Sequence, residues 1–274
     1  MLNLIQIYYD TEKLCREDET LTEAIRHTID NQYIVHSPGD IRLKPERHRF
    51  STPANIVVSQ KRSLEAARAY PTDRICVLNF ASATHAGGGV RQGARAQEEC
   101  LCRCSTLLCA ISDPATEEDF HLRHRQLISS GKMDALYNDD CIFSPGITVI
   151  KTDTELPHRL MEADRYHVDV ITCAAPNLNP YFHRLRITAV QLKELHQQRA
   201  RRILDIGVSE REDVMILGAF GCGAFRNPPE VVAEAYGEVI RDYLYDFKTI
   251  EFAVYCPPHS EGKNYHAFRH ALTP

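Results

Sequence analysis

The sequence predicts an α/β fold with a mixed, largely parallel central sheet covered by helices on both faces, a three-layer α/β/α arrangement, and three observations predict it. Short apolar runs such as "ICVLNF" and "VMILGAF" lack the polar alternation of a half-exposed strand, so they read as strands buried on both faces. Segments with helical spacing of apolar residues alternate with them, the pattern of strands joined by crossover helices. Two glycine-rich stretches follow directly on strands, where the ligands of such sheets gather.

With 274 residues, 43% of them hydrophobic and 25% charged, the chain has the balance of a globular protein able to bury a core. No repeat, low-complexity tract or linker divides it, so residues 1–274 are expected to form one domain, with residues 1–70 as a helical extension packed on it. A net charge of −5 gives no electrostatic reason to hold nucleic acid. No apolar run approaches the roughly 18 to 20 residues that span a bilayer, and "MLNLIQIYYDTEKLC" lacks the basic start and long apolar stretch of a signal peptide. The expectation is a cytoplasmic monomer with no membrane partner. The ten cysteines are scattered through predicted strands and helices, which suits buried thiols in a reducing compartment. Their one cluster, Cys100, Cys102 and Cys104, would span two faces of a helix and has no C-x-x-C pair, so neither a metal nor a cofactor is expected.

The elements follow in order. "DETLTEAIRHTIDNQ" has a Thr-x-x-Glu start and apolar spacing suited to a helix, and "SLEAARAY" suggests another. Ile75 to Phe80 form a buried strand running into a glycine loop and a helix that begins around Ala96. "CIFSPGITVIK" and "HVDVITC" are strands, the second ending in the Pro/Asn loop "AAPNLNP". A long helix runs roughly from Leu185 to Ile206, then comes the strand "DVMILGAF" and its loop "GCGAFRNPP". A helix from about Pro229 to Phe247 follows, with Pro228 and Pro229 placed at its start. "TIEFAVYC" supplies a last strand and "NYHAFRHAL" a closing helix.

The chemistry concentrates in "HAGGGVRQGARAQEE", His85 to Glu99. Glycines in series after a strand let backbone N–H groups approach an anion, although a glycine triplet is also an ordinary tight turn. The second loop, Gly218 to Gly223, in an equivalent position strengthens the ligand reading. Neither loop carries a dinucleotide fingerprint or a P-loop, since Arg226 stands where a third glycine belongs and no Gly-Lys-Ser/Thr ending is present. Glu98 and Glu99 are either a solvated helix start, favoured by the dipole, or an acid pair. Helix neighbours point about 100° apart, so the two cannot share one job. Nor can they flank a glycosidic bond across roughly 5 to 9 Å as ordinary glycosidase pairs do. If sugar chemistry happens here, one carboxylate acts first as acid and then as base.

Gly87-Gly88-Gly89, seven intervening residues and Gln97-Glu98-Glu99 resemble the G-G-G-x(6–8)-Q-E-E signature of poly(ADP-ribose) glycohydrolases. "VLNFASA", "CIFSPGITVIK", "VDVITCAAPN" and "LGAFGCGAFRNPPE" look like landmarks of the shorter microbial branch, so the resemblance covers about residues 50 to 272. It implies a macrodomain-like fold and hydrolysis of the ribose–ribose bond of poly(ADP-ribose), mainly from chain ends. It implies Glu99 as the catalytic acid and base, with Glu98 on the ribose hydroxyls. Gly87, Gly88 and Gly89 would shape the catalytic loop, Asn79 and Ser82 would line the sugar side, and Val90 and Gln97 would complete that set. Gly221, Cys222, Gly223 and Ala224 would wrap the diphosphate through their N–H groups, with Phe225 against the distal ribose. ADP-ribose, its polymer and ADP-ribosylated proteins are the implied partners.

Where microbial members often have Asn-Pro before the glycines, this chain has His85-Ala86, and His85 is read as facing water, with tuning of the site as the alternative. A hydrolase of mono-ADP-ribose on arginine, acidic side chains or nucleobases, and a reader that binds ADP-ribose without cleaving it, are the competing functions; the intact glutamate pair argues against the reader. Three further features are given ordinary roles. His121 and His124 in "HLRHRQ" are read as exposed helix, "RARR" near residue 200 as a solvated helix face, and Tyr181 and Phe182 as core aromatics, with adenine stacking as their alternative.

Overall fold

The computed structural model describes residues 3–37, 43, 46–180, 186–257, 259–260 and 262–273. The chain opens with two helices, α1 (Leu4–Glu17) and α2 (Glu19–Asn31). Asn3 starts α1 with a reciprocal capping box to Gln6. Asp18 caps α2 through the Leu21 N–H at 3.2 Å, so the helix begins before the Thr-x-x-Glu that suggested it. β1 (Tyr33–Val35) and β2 (Asn55–Ser59) follow, then α3 (Ser63–Ala67) and β3 (Ile75–Phe80). After the glycine turn come α4 (Gln97–Cys104), α5 (Leu107–Ile111), α6 (Pro114–Thr116), a π-helical stretch (Glu117–Leu122) and α7 (Arg123–Ser129). β4 (Cys141–Val149) and β5 (Tyr166–Cys173) precede α8 (Ala189–Ser209) and β6 (Val214–Leu217). α9 (Pro229–Val239), β7 (Thr249–Ala253) and α10 (Lys263–Leu272) complete the chain.

The seven strands among the described residues form one sheet in the order β1-β4-β5-β3-β6-β7-β2. The run β5-β3-β6-β7-β2 is parallel, and β4 and β1 add an antiparallel edge. The first 70 residues therefore do more than supply helices: they contribute both edge strands, β1 and β2, and α1 joins them as an element the sequence pattern had not picked out. Strand β3 shows how the layers arise. Ile75 and Val77 face one core, with Leu64, Leu101, Leu107 and Phe120, whereas Cys76 and Leu78 face the other, with Ile203, Leu204, Val232 and Tyr236.

The long helix begins at Ala189 behind a Thr188 capping box, and its expected start at Leu185 lies outside the described residues. The helix from Pro229 stops at Val239 and ends in a 3-10 turn, Ile240–Tyr243, short of Phe247. No helix among the described residues is long and apolar enough to cross a membrane. α1 is tied down by a buried cation: Lys151, 2% exposed, donates to the Ile7 carbonyl at 2.6 Å and pairs with Asp10 at 2.9 Å. Thr11 adds a hydrogen bond to the Arg103 carbonyl of α4 at 2.5 Å. The helix thus braces the one that carries the glutamates.

Candidate active site

Gln97 fixes the start of α4 to the end of β3. Its Oε1 accepts the Phe80 N–H at 2.9 Å, and its Nε2 donates to the Leu78 carbonyl at 2.7 Å and to Ser63 Oγ at 3.0 Å. The two glutamates behind it leave the helix into the glycine turn and are buried, 3% and 7% exposed, so they are no solvated helix start. Glu98 Oε2 accepts from Ser82 N–H at 2.8 Å and its Oε1 from Gly87 N–H at 3.2 Å. Glu99 Oε1 accepts from Gly89 N–H at 2.8 Å, while Glu99 Oε2 is buried with no partner among the described residues.

Two amides of the first glycine loop, those of Gly87 and Gly89, are thus already engaged. The anions that its amides hold are the protein's own carboxylates. The loop must also be glycine at its centre: Gly88 has φ +53°, and a Cβ there would stand 2.5 Å from Glu99 Oε1 and 3.0 Å from Glu98 Oε2.

Burial pushes Glu98 from an ordinary value of 4.5 up to about 8, with the Glu99 charge adding to it. The Ser82 and Gly87 amides and the Asn79 side chain pull the other way, and burial outweighs them. Glu98 therefore keeps its proton at neutral pH.

The second loop leaves β6. Gly218 is packed so that a Cβ would lie 2.7 Å from the Ala253 carbonyl, and Gly221, at φ +77°, is held by Asn227, whose Nδ2 donates to the Pro176 and Gly221 carbonyls at 2.7 and 3.0 Å. The Cys222 N–H is taken by the Ala219 carbonyl at 3.1 Å. Among the described residues the N–H groups of Gly221, Gly223, Ala224 and Phe225 have no acceptor.

The two loops meet over a cavity of about 280 Å³. Ser82, Gly88, Gln97, Glu98, Glu99, Gly221, Gly223, Ala224 and Phe225 line it, whereas Asn79, Gly87, Gly89, Val90 and Cys222 do not. Asn79 is fully buried and hydrogen-bonds Thr172 at 3.2 Å; Val90 is core. The sequence reading missed the cavity wall built by Arg62, Asp153 and Tyr255. Arg62 stacks on the Tyr255 ring at 3.9 Å. Asp153, 8% exposed, accepts the Leu64 N–H through Oδ2 at 3.1 Å, has no partner for Oδ1 among the described residues, and burial raises its pKa. Tyr255 stands just beyond the end of β7, so the rule that ligands gather at strand carboxyl ends was the available signal; Arg62 and Asp153 carry no motif.

Two expectations for other residues fail. His121 and His124 are buried, at 0% and 1% exposed: His121 Nδ1 donates to the Ala83 carbonyl at 3.3 Å and His124 pairs with Asn138 at 3.0 Å. In "RARR", Arg199 is buried and donates to the Leu136 carbonyl, while Arg201 is exposed and pairs with Asp242 at 2.7 Å. His85 is exposed, as read, and touches Thr84 Oγ1 at 2.9 Å. All ten cysteines are free, six of them buried, and no group of metal-ligating side chains occurs among the described residues. Tyr181 and Phe182 lie outside the described residues.

Residues 5–152 match the family model of the microbial-type PARG catalytic domain. The crystal structure of poly(ADP-ribose) glycohydrolase (PARG) from Thermomonospora curvata superposes with a TM-score of 0.85, at 27% identity over 98% of both chains. The same enzyme bound to the inhibitor ADP-HPD gives 0.82, at 26% identity over 97% of this chain and 98% of that one. The Deinococcus radiodurans enzyme in complex with ADP-ribose gives 0.77, at 30% identity over 91% of this chain and 97% of that one. No curated protein matches the chain in sequence.

Proposed function

The chain belongs to the microbial-type poly(ADP-ribose) glycohydrolase family, and from that premise we propose that Glu99 is the acid and base with which it splits the ribose–ribose bond of poly(ADP-ribose) to release ADP-ribose. The observation that carries this reading is Glu99 Oε2, a buried carboxylate oxygen without a donor among the described residues, on a residue that lines a cavity whose other wall offers N–H groups unengaged by those same residues. A buried oxygen left unsatisfied costs about 1 to 3 kcal/mol, and a bound ligand removes that cost. A protein that only binds ADP-ribose has no use for such a group.

An ADP-ribose unit then lies with its diphosphate on the N–H groups of Gly221, Gly223, Ala224 and Phe225 and its terminal ribose against Glu98 and Glu99. Ser82 borders the sugar and Phe225 packs on it. Glu99, acting as the acid, gives a proton from Oε2 to the departing ribose oxygen as the anomeric C–O bond breaks. Positive charge develops on the sugar, and the ligand's own diphosphate offsets it. Water bonds to the anomeric carbon and gives its proton to Glu99, which restores the acid. Glu98, fixed by two amides, holds the ribose hydroxyls, and the first glycine loop serves both carboxylates.

Release from chain ends, action in the cytoplasm with the ten free thiols reduced, and residues 1–274 working as one catalytic unit belong to the same proposal. Its test is Glu99→Gln on polymer and on serine-, arginine- and nucleic-acid-linked ADP-ribose: turnover should fall about 10²- to 10⁴-fold while calorimetric ADP-ribose affinity stays close to that of the wild type. Undiminished turnover would remove Glu99 from its role.

A further inference from the structure

The catalytic turn is held from behind as well as by the glutamates in front of it. The segment from Pro114 to Ser129 passes through the π-helical stretch Glu117–Leu122, a widened turn of a kind often found at functional sites. It directs His121, which is fully buried, at the Ala83 carbonyl, 3.3 Å from Nδ1. A carbonyl only accepts, so Nδ1 carries the hydrogen. One helical turn later the Arg125 guanidinium donates to the next carbonyl, that of Thr84.

These two contacts are linked to the reacting groups by a short chain of bonds. The peptide between Ala83 and Thr84 is fixed at its oxygen by His121 and at its N–H by Ser82 Oγ, 3.3 Å away. Ser82 Oγ also accepts from His85 N–H at 3.2 Å, and the Ser82 N–H is the 2.8 Å donor to Glu98 Oε2. Neither His121 nor Arg125 lines the cavity, so any effect they have passes through the turn.

We propose that His121, seconded by Arg125, is a positioning residue for the reaction, holding the Ala83–Thr84 peptide so that Ser82 keeps Glu98 set against the terminal ribose. The proposal rests on the reading of Glu98 and Glu99 as the acting pair. Release of the turn changes the setting of the carboxylates and leaves the diphosphate loop intact, so the loss appears in kcat and not in KM.

His121→Leu removes the donor while keeping an apolar side chain in the space. Since a displacement of about 1 Å at a reacting group costs up to about 10²-fold, kcat should drop about 10- to 100-fold with KM within about twofold. His121→Asn should restore most of the rate, because its Nδ2 lies two bonds from Cβ, as Nδ1 does. Should the leucine variant not fold, Arg125→Met, at a partly exposed side chain, reads the second contact by the same split. Wild-type kcat in folded His121→Leu or Arg125→Met, or an asparagine variant as slow as the leucine one at equal Tm, overturns the inference. Wild-type protein that releases no ADP-ribose would sink the catalytic reading itself, which separates the two failures.

Discussion

Replacing Gly88 by alanine should disable the reaction while leaving a folded protein. The added Cβ would stand 2.5 Å from Glu99 Oε1, so that oxygen must retreat by about 0.9 Å to reach the 3.4 Å where ordinary contact begins. Glu98 Oε2, at 3.0 Å, must also give way. The backbone resists too, since φ +53° costs a residue with a side chain about 1 to 2 kcal/mol. In a protein of this size each kcal/mol lowers Tm by about 2 to 4 °C. A shift of that size at the proton donor predicts a fall in kcat of about 10²-fold. Gly131→Ala separates the two effects: its φ is +68°, yet nothing lies within 4 Å of the new Cβ, so it should lower Tm similarly and leave kcat alone. Release of ADP-ribose from labelled polymer, followed by chromatography, measures kcat, and scanning calorimetry measures Tm. Folded Gly88→Ala with wild-type kcat would refute the argument that the glycine exists to seat the carboxylates.

Two further outcomes follow from the site. Glu98 holds a proton in the folded protein up to about pH 8 that the unfolded chain releases near 4.5, so its contribution to stability is full below pH 4.5 and is lost as pH rises through 8. Glu98→Gln should flatten the decline of Tm across that window, and an unaltered slope would mean that the carboxyl titrates normally. Asn227, 2% exposed, donates to the Pro176 and Gly221 carbonyls and meets His196 Nε2 at 2.9 Å, so it supports the second loop from beneath. Asn227→Ala should weaken calorimetric ADP-ribose binding by about tenfold, given the loss of three side-chain hydrogen bonds, two of them buried; equal affinity would show that the loop stands without it.

The sequence carried the buried strands and the two loops plainly, because an unbroken apolar run such as Ile75–Phe80 and a glycine triplet are local signals. Gln97, Glu98 and Glu99 were legible as a unit for the same reason. What each does was not: Gln97 stands in the cavity wall, yet its amide is committed to Phe80, Leu78 and Ser63, contacts that span β3 and α3. β1 and β2 escaped notice because three and five residues are too few to show a period, and their strand character comes from pairing with β4 and β7. His121 and Arg199 look like exposed helix in a one-dimensional pattern, and only tertiary contacts supply the acceptors that let them be buried. Arg62, Asp153 and Tyr255 converge from three distant segments, an arrangement that no single window of sequence can display.

The pairing of Asn55 with Thr249 joins the two ends of the chain at one edge of the sheet. Strand β2 finds its partner only in β7, almost two hundred positions later in the sequence, and long-range parallel pairing of that kind is slow to form. Tyr255, which stacks on Arg62, travels with that same strand. The edge of the sheet and one wall of the cavity thus hang on the same strand, so a change that loosens β7 from β2 reaches the cavity as well as the sheet.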